Sequence, residues 1–374
     1  MSSEKFHAKS GLTRVPNKNK AILSVSTSQS FAKMNTQSPS TVTIRDVARA
    51  AGVHVSTVSR ALSPDKRGLI SEEVLRVVEE AAQRLGYRPN RAASALRTGR
   101  THTIGVLVPD ITNPVFPPIL QGVEASAAAR GYFVFVTNVM DPALARPVVE
   151  RMLAQQVDGL VMAIAMRDDP LIDYLRKAGM HTVLVNRADE SGRLPAVVSD
   201  DRLAMKLAVD HLVATGHRRI AHLAGPQNVP TGVARRQGVE QALRDRGLAL
   251  AAVAECESYS REAGRRAMEQ LLAQNERPEA VVCCNDLVAL GAYDLLRAQG
   301  LRVPQDISIT GHNDMPLVDM VDPPLTTIRL PHRELGWRAA EMLFDEIEGK
   351  ALSASTVVLR PELVVRESTR KVAP

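Results

Sequence analysis

No apolar run in this chain approaches the ~18 residues that a helix needs to cross a bilayer. Cysteine is scarce: Cys256, Cys283 and Cys284 form no plausible disulfide framework, which favours a reducing compartment. Cys283 and Cys284 are adjacent rather than separated by two residues, and both fall in an expected buried strand, so they read as core. The glycine spacings of a dinucleotide or phosphate loop are missing, and so is a nucleophile elbow. His211, His217 and His222 lack metal-ligand spacing. Neither a metal nor a cofactor is expected, and nothing in the chain demands catalysis.

What is present points elsewhere. The 374 residues have room for two or three domains, and 45% of them are hydrophobic, as in a globular protein. Charge is unevenly spread. Residues 1–100 hold 17 Lys+Arg against 7 Asp+Glu, whereas the other 274 hold 30 against 34. A basic head on a mildly acidic body suits a head that meets a polyanion. The first 42 residues, rich in Ser, Thr, Asn and Lys, read as a disordered extension. Its "KNK" before "AILSVSTSQSFA" is too broken by Ser and Thr for a signal peptide, and Met34 is an alternative translation start to Met1.

The stretch "TIRDVARAAGVHVSTVSRALS", residues 43–63, carries the next step. Thr43 and Asp46 have capping-box spacing, and Ile44, Val47, Ala48 and Ala51 share one helical face. Gly52 suits a helix end, and a second helix is expected over about 55–62, with Val58, Ala61 and Leu62 inward. Two short helices joined by a tight glycine turn make a helix-turn-helix candidate. Thr43, Ser56, Thr57 and Ser59 are expected to make phosphate or base contacts, and Arg60 can reach guanine with two hydrogen bonds. A third helix is expected after Ser71, ending at Gly86.

This run resembles the headpiece signature of the lactose-repressor (LacI/GalR) family of bacterial transcription regulators, and the resemblance continues to about residue 367. It implies that Val55 and Ser56 select the operator, with Arg60 as a third reader. His54 stands where the family usually has a capping serine, so either the helix start is weakened or His54 meets a phosphate. The resemblance also makes residues 89–100 a hinge that turns helical only on DNA. A segment so short does not persist as a helix alone in water. Asn90 belongs to that hinge, Leu96 is the implied wedge into the minor groove, and Ala93 lets paired hinges approach. Arg91, Arg97 and Arg100 would contact phosphates.

From Thr103 onward, β-branched runs alternate with amphipathic helices: "TIGVLVPD", "FVFVT", "DGLVMAIA", "TVLVN", "RIAHLAG", "AVVCCND" and "DISITGHND" are the strands. Such alternation means parallel sheets with crossover helices, and the number of units exceeds one sheet. The expected fold is therefore an all-α headpiece over 43–88 and a hinge over 89–100, followed by an α/β two-lobed body over 101–374. The resemblance makes that body periplasmic-binding-protein-like, with lobe crossovers near 200, 312–330 and 352–358. The strand ends nominate a cleft. Phe116 is expected in the first loop, with Asn186 and Arg187 after a later strand. By resemblance, Arg235 reaches the ligand, Tyr259 stacks on it, and Asn285 with Asp286 forms the family's Asn-Asp pair. Asn313 replaces a frequent aspartate, and with Arg187 and Arg235 it favours an acidic sugar or another small anion.

The expected function is a ligand-responsive, sequence-specific DNA-binding regulator acting as a homodimer on a pseudo-palindromic operator, in the cytoplasm and on the nucleoid. Its effector would be a sugar, sugar acid or similar metabolite, and no membrane is involved. The C-terminus has no leucine heptad, which favours a dimer over a tethered tetramer. A solute-binding protein is the main rival. It would share the two-lobed body but need neither headpiece nor hinge.

Overall fold

A computed structural model describes residues 42–62, 64–88, 99–274, 276–352 and 355–372. Most of the expected N-terminal extension and most of the hinge, with Asn90, Arg91, Ala93, Leu96 and Arg97, lie outside the described residues. Two units result, 1–89 and 90–374.

The first unit is three helices around one small core. Helices α1 (Ile44–Ala51), α2 (Val55–Ala61) and α3 (Glu72–Leu85) bury Val47, Ala48, Val58, Ala61, Val78, Ala81 and Ala82 together. The Asp46 carboxylate accepts from the Thr43 amide at 3.0 Å and its hydroxyl at 2.7 Å, which closes the start of α1 and lowers the Asp46 pKa. Gly52 ends the helix at φ +67°, where a side chain would be strained. A 3₁₀ turn, Pro64–Leu69, joins α2 to α3 and had no counterpart in the sequence reading. Ser71 occupies the N-cap of α3, but its side chain makes no capping bond.

The second unit has two lobes. In the first, β1 (Thr103–Val108), β2 (Phe133–Asn138), β3 (Gly159–Met162), β4 (Thr182–Val185), β5 (Ala196–Ser199) and β11 (Thr356–Leu359) pair in the order β11-β5-β4-β3-β1-β2, all parallel. Helices α4 (Phe116–Ala129) and α11 (His332–Ile347) bury one face, with Ile104, Val106, Ile119 and Phe344 in that core. Helices α5 (Ala145–Ala154) and α6 (Pro170–Lys177) bury the other, around Leu107, Leu160 and Ile172. Helices α4 and α11 touch through glycine: a Cβ on Gly336 would fall 1.9 Å from the Ile119 carbonyl, and one on Gly122 2.0 Å from that of Arg333.

In the second lobe, β6 (Ile220–Ala224), β7 (Ala252–Glu255), β8 (Ala280–Cys283) and β9 (Ser308–Thr310) pair in the order β7-β6-β8-β9, again parallel. Helices α7 (Asp201–Ala214) and α8 (Pro230–Asp245) cover one face, and α9 (Arg261–Leu272) and α10 (Asp286–Ala298) the other. A short antiparallel pair, β10 (Thr327–Arg329) with β12 (Glu362–Val364), lies against α7. Cys256, Cys283 and Cys284 are buried in the second-lobe core.

The chain passes between lobes three times. Strand β5 runs into α7 at Asp200, and the segment from β9 through β10 returns to α11. The last passage corrects the expectation of 352–358. Thr356–Leu359 pairs with β5 in the first lobe, so the chain crosses only afterwards, at Arg360 and Pro361, before β12. A β-branched run reads alike on either side of such a passage. Only its partner strand decides which lobe holds it.

Candidate functional site

Parallel strands in both lobes place their carboxyl ends on one cleft, where such folds hold ligands. Its cavity measures about 800 Å³, within the usual range for a small-molecule site. Phe116, Asn186, Arg187, Arg235, Tyr259, Asn285 and Asn313 all line it. Phe116 departs from its expected loop position: it opens α4 and is 3% exposed, packed into the first-lobe core.

Backbone geometry explains two of the asparagines. Asn186, at the end of β4, and Asn313, after β9, hold φ of +65° and +119°, a region where asparagine is better tolerated than bulkier residues. Asn285 is spent locally. Its Oδ1 accepts from the Val288 amide at 2.8 Å to cap α10, which leaves its amide group, 3.5 Å from the Tyr259 carbonyl, nearer the cavity. Asn313 Oδ1 lies 2.9 Å from Nδ1 of His312.

Arg235 is held more tightly than sequence alone suggests. Its Nε donates to Asp201 at 2.8 Å, its Nη1 to the Cys284 carbonyl at 2.8 Å, and its guanidinium sits 5.6 Å from the Tyr259 ring centroid. Burial opposes its charge, yet the adjoining Asp201 carboxylate raises its pKa on balance. The hydroxyls of Tyr259 and Thr231 are 2.8 Å apart, and burial pushes the phenol up to about 12. His312 Nε2 comes within 3.5 Å of Asp201, but burial and then Arg235 hold its pKa well below the ordinary value. The ring is neutral, so that approach is not an ion pair.

Asp286, expected beside Asn285 as one unit, does different work. Fully buried, it accepts from Thr327 Oγ1 at 2.5 Å and from the Met315 amide at 2.8 Å, tying the start of α10 to the second crossover. Burial lifts its pKa to about 6. Asp201 and His312 were missed by the sequence reading. The only local signal for Asp201 was "SDD" after a β-branched run, and its partner lies 34 positions away.

On the headpiece, α2 presents Ser56 and Arg60 exposed, with Thr57 and Ser59 half-buried and Val55 leaning on the core. His54 does cap the helix: its Nδ1 accepts from the Ser56 amide at 3.3 Å and lies 2.8 Å from the Ser56 hydroxyl. The expectation of a weakened start is answered by this bond. Arg100, assigned to phosphate by resemblance, donates to the Ile347 carbonyl at 2.8 Å. Among the described residues, no cluster of His, Cys, Asp or Glu could hold a metal ion, and no helix is long and apolar enough to cross a membrane.

Comparison with known proteins agrees with both halves of this architecture. Residues 43–90 match the bacterial regulatory proteins of the lacI family, and residues 209–369 match a periplasmic binding protein-like domain. The transcriptional repressor CytR of Escherichia coli K12 is 36% identical over 333 residues, covering 88% of this chain and 96% of that protein. The ribose operon repressor of the same strain is 34% identical over 329 residues, covering 87% and 99%. Among solved structures, the Lac repressor dimer bound to operator and the anti-inducer ONPF superposes with a TM-score of 0.79 at 30% identity, covering 88% of this chain and 99% of that one. The regulator CelR with cellobiose gives 0.68 at 31% identity, covering 87% and 99%. The chain belongs to the LacI family of bacterial regulatory proteins.

Proposed function

We propose that this chain is a repressor that grips a pseudo-palindromic DNA site as a homodimer, and that a small sugar or sugar acid in the inter-lobe cleft sets the strength of that grip. The observation that carries the reading is the convergence of seven separately nominated side chains on one cavity, in a chain whose other unit is a helix-turn-helix. The effector would act by population shift: it favours one arrangement of the lobes, and the paired hinges form or separate accordingly. Leu96 would be the minor-groove wedge and Arg97 a phosphate contact, with Asn90 and Ala93 in the same hinge. CytR, the ribose operon repressor and the Lac repressor are repressors by name, and the working place of this chain is the cytoplasm, on the nucleoid.

The dimer has a candidate face. Strand β2 is a sheet edge, and Phe135 and Val136 on it, with Met140 and Leu144 just beyond, are exposed. A second copy covering that edge would remove both the apolar surface and the unpaired strand.

Selection from a random duplex pool at fixed salt tests the proposal. It should return a two-fold site, and Arg60→Ala should relax base preference at one position per half-site by roughly 1–3 kcal/mol while leaving the preference elsewhere intact. A pool with no two-fold element, or an unaltered preference in the variant, contradicts it.

A further inference from the structure

Among the described residues, four arginines line the cavity, and one of them has no protein carboxylate beside it. Arg146 pairs with Glu150 at 3.0 Å, Arg167 with Glu190 at 2.8 Å and Arg235 with Asp201 at 2.8 Å. Arg187 pairs with no carboxylate among the described residues. It is 7% exposed, its Nη1 makes a long 3.4 Å bond to the Ala165 carbonyl and a 3.9 Å approach to Met166 sulfur, and its Nε is buried with no hydrogen-bond partner. The lining carboxylates are all occupied elsewhere. Asp110 accepts from Thr112, Asp169 caps α6 through the Leu171 amide, and Glu257 pairs with Arg266.

A buried guanidinium with an orphaned donor is costly unless something else completes it. We infer that Arg187 is the anchor for a carboxylate on the effector, and that this protein responds to a sugar acid rather than to a neutral sugar. This rests on the cleft being the effector site, as proposed above, and it shifts the charge recognition from Arg235 to Arg187. Arg235 is already paired and orients Tyr259, whereas Arg187 has both charge and geometry to spare for a planar oxyanion. Arg187 offers a carboxylate a single partner, whereas Asp110 and Asp169, which line the cavity and pair with no cation among the described residues, would repel the second charge of a phosphate. Asn186 and Asn313 meet sugar hydroxyls without adding the repulsion an aspartate would bring, and Phe116 and Tyr259 supply apolar faces.

The test uses the full chain. Melting is followed in sodium gluconate, sodium galacturonate and sodium acetate, each against equal sodium chloride, with glucose, galactose and glucose 6-phosphate alongside. A saturable rise is expected with the sugar acids, a weaker one with acetate, and little with the neutral sugars or the phosphate ester. Arg187→Met should weaken sugar-acid binding on the order of 30-fold or more and, without ligand, melt no lower than the parent, because an uncompensated charge has gone. The proposal fails if a neutral sugar or the phosphate ester binds best, or if no carboxylate shifts melting beyond chloride. It also fails if Arg187→Met binds the acids unchanged, or if the unliganded variant melts several degrees lower. Specific duplex binding, measured separately, keeps the readings apart: its absence with the acid effect intact sinks the repressor reading alone.

Discussion

Arg235→Ala is expected to lower the unfolding free energy of the body by about 3–5 kcal/mol, because it strands a buried charge. Asp201 loses its partner at 2.8 Å, and the Cys284 carbonyl loses a donor at 2.8 Å. Since Asp201 starts the helix after the first crossover and Cys284 precedes Asn285, the loss falls where the lobes join. Effector response should vanish with it, while specific duplex binding by folded protein persists. The pair can be isolated by a double-mutant cycle in urea. Arg235→Ala in an Asp201→Asn background should cost markedly less than in the parent. A loss below about 1 kcal/mol, the level of an ordinary surface ion pair, would show that the pair contributes little.

The second large effect is on pH. His222 and His332 are both buried, and burial lowers each to about 4 from an ordinary 6.5. His222 Nδ1 is 2.7 Å from the Val282 carbonyl, and its Nε2 has no partner. Above pH 6.5 the rings are neutral in both folded and unfolded chains and contribute nothing to the difference. As pH falls from 6.5, the unfolded chain takes up protons that the folded chain refuses. Stability therefore falls until about pH 4, where the folded rings charge as well. At pH 4.5 the two rings account for a loss of about 5 kcal/mol. Asp286 works against them. Its folded pKa of about 6 lies above the ordinary carboxylate value, so acidification below 6 stabilises, by about 2 kcal/mol at pH 4.5. Asp201, raised by burial, adds to that offset, and His312, lowered by burial, adds to the loss. The net expectation is a fall on the order of 3 kcal/mol between pH 7 and 4.5, read from urea unfolding at each pH. His222→Gln should flatten the curve, and a flat curve for the parent would contradict the burial of neutral rings.

Much of this protein is legible in its sequence because its signals are local. The headpiece helices follow from short-range apolar spacing and from Gly52 and Gly86, and the long β-branched runs of the body announce β1 to β4 directly. The strands "AVVS" of β5 and "AVAE" of β7, four residues each like β3 and β4, end on a serine and a glutamate rather than in an apolar run, and they form because neighbouring strands pair with them. Strands β10 and β12, three residues each, exist as a pair with each other. Phe116, Asn186 and Arg187 could be nominated from their place at strand ends, and Arg235, Tyr259, Asn285 and Asn313 from the family resemblance. What each is free to do could not. Whether Arg235 or Arg187 has spare charge depends on Asp201, whose contact with Arg235 forms only when α7 and α8 pack together.

The central claim is that occupancy of the cleft and grip on DNA are linked, and one titration addresses it most directly. The selected two-fold duplex is titrated with full-length protein at one fixed salt concentration, by fluorescence anisotropy, with and without saturating gluconate or galacturonate. Linkage predicts a change in affinity of about 5- to 150-fold, lost in Arg187→Met but kept in Arg60→Lys at whatever duplex that variant still binds. Identical curves with the cleft filled and empty would contradict it.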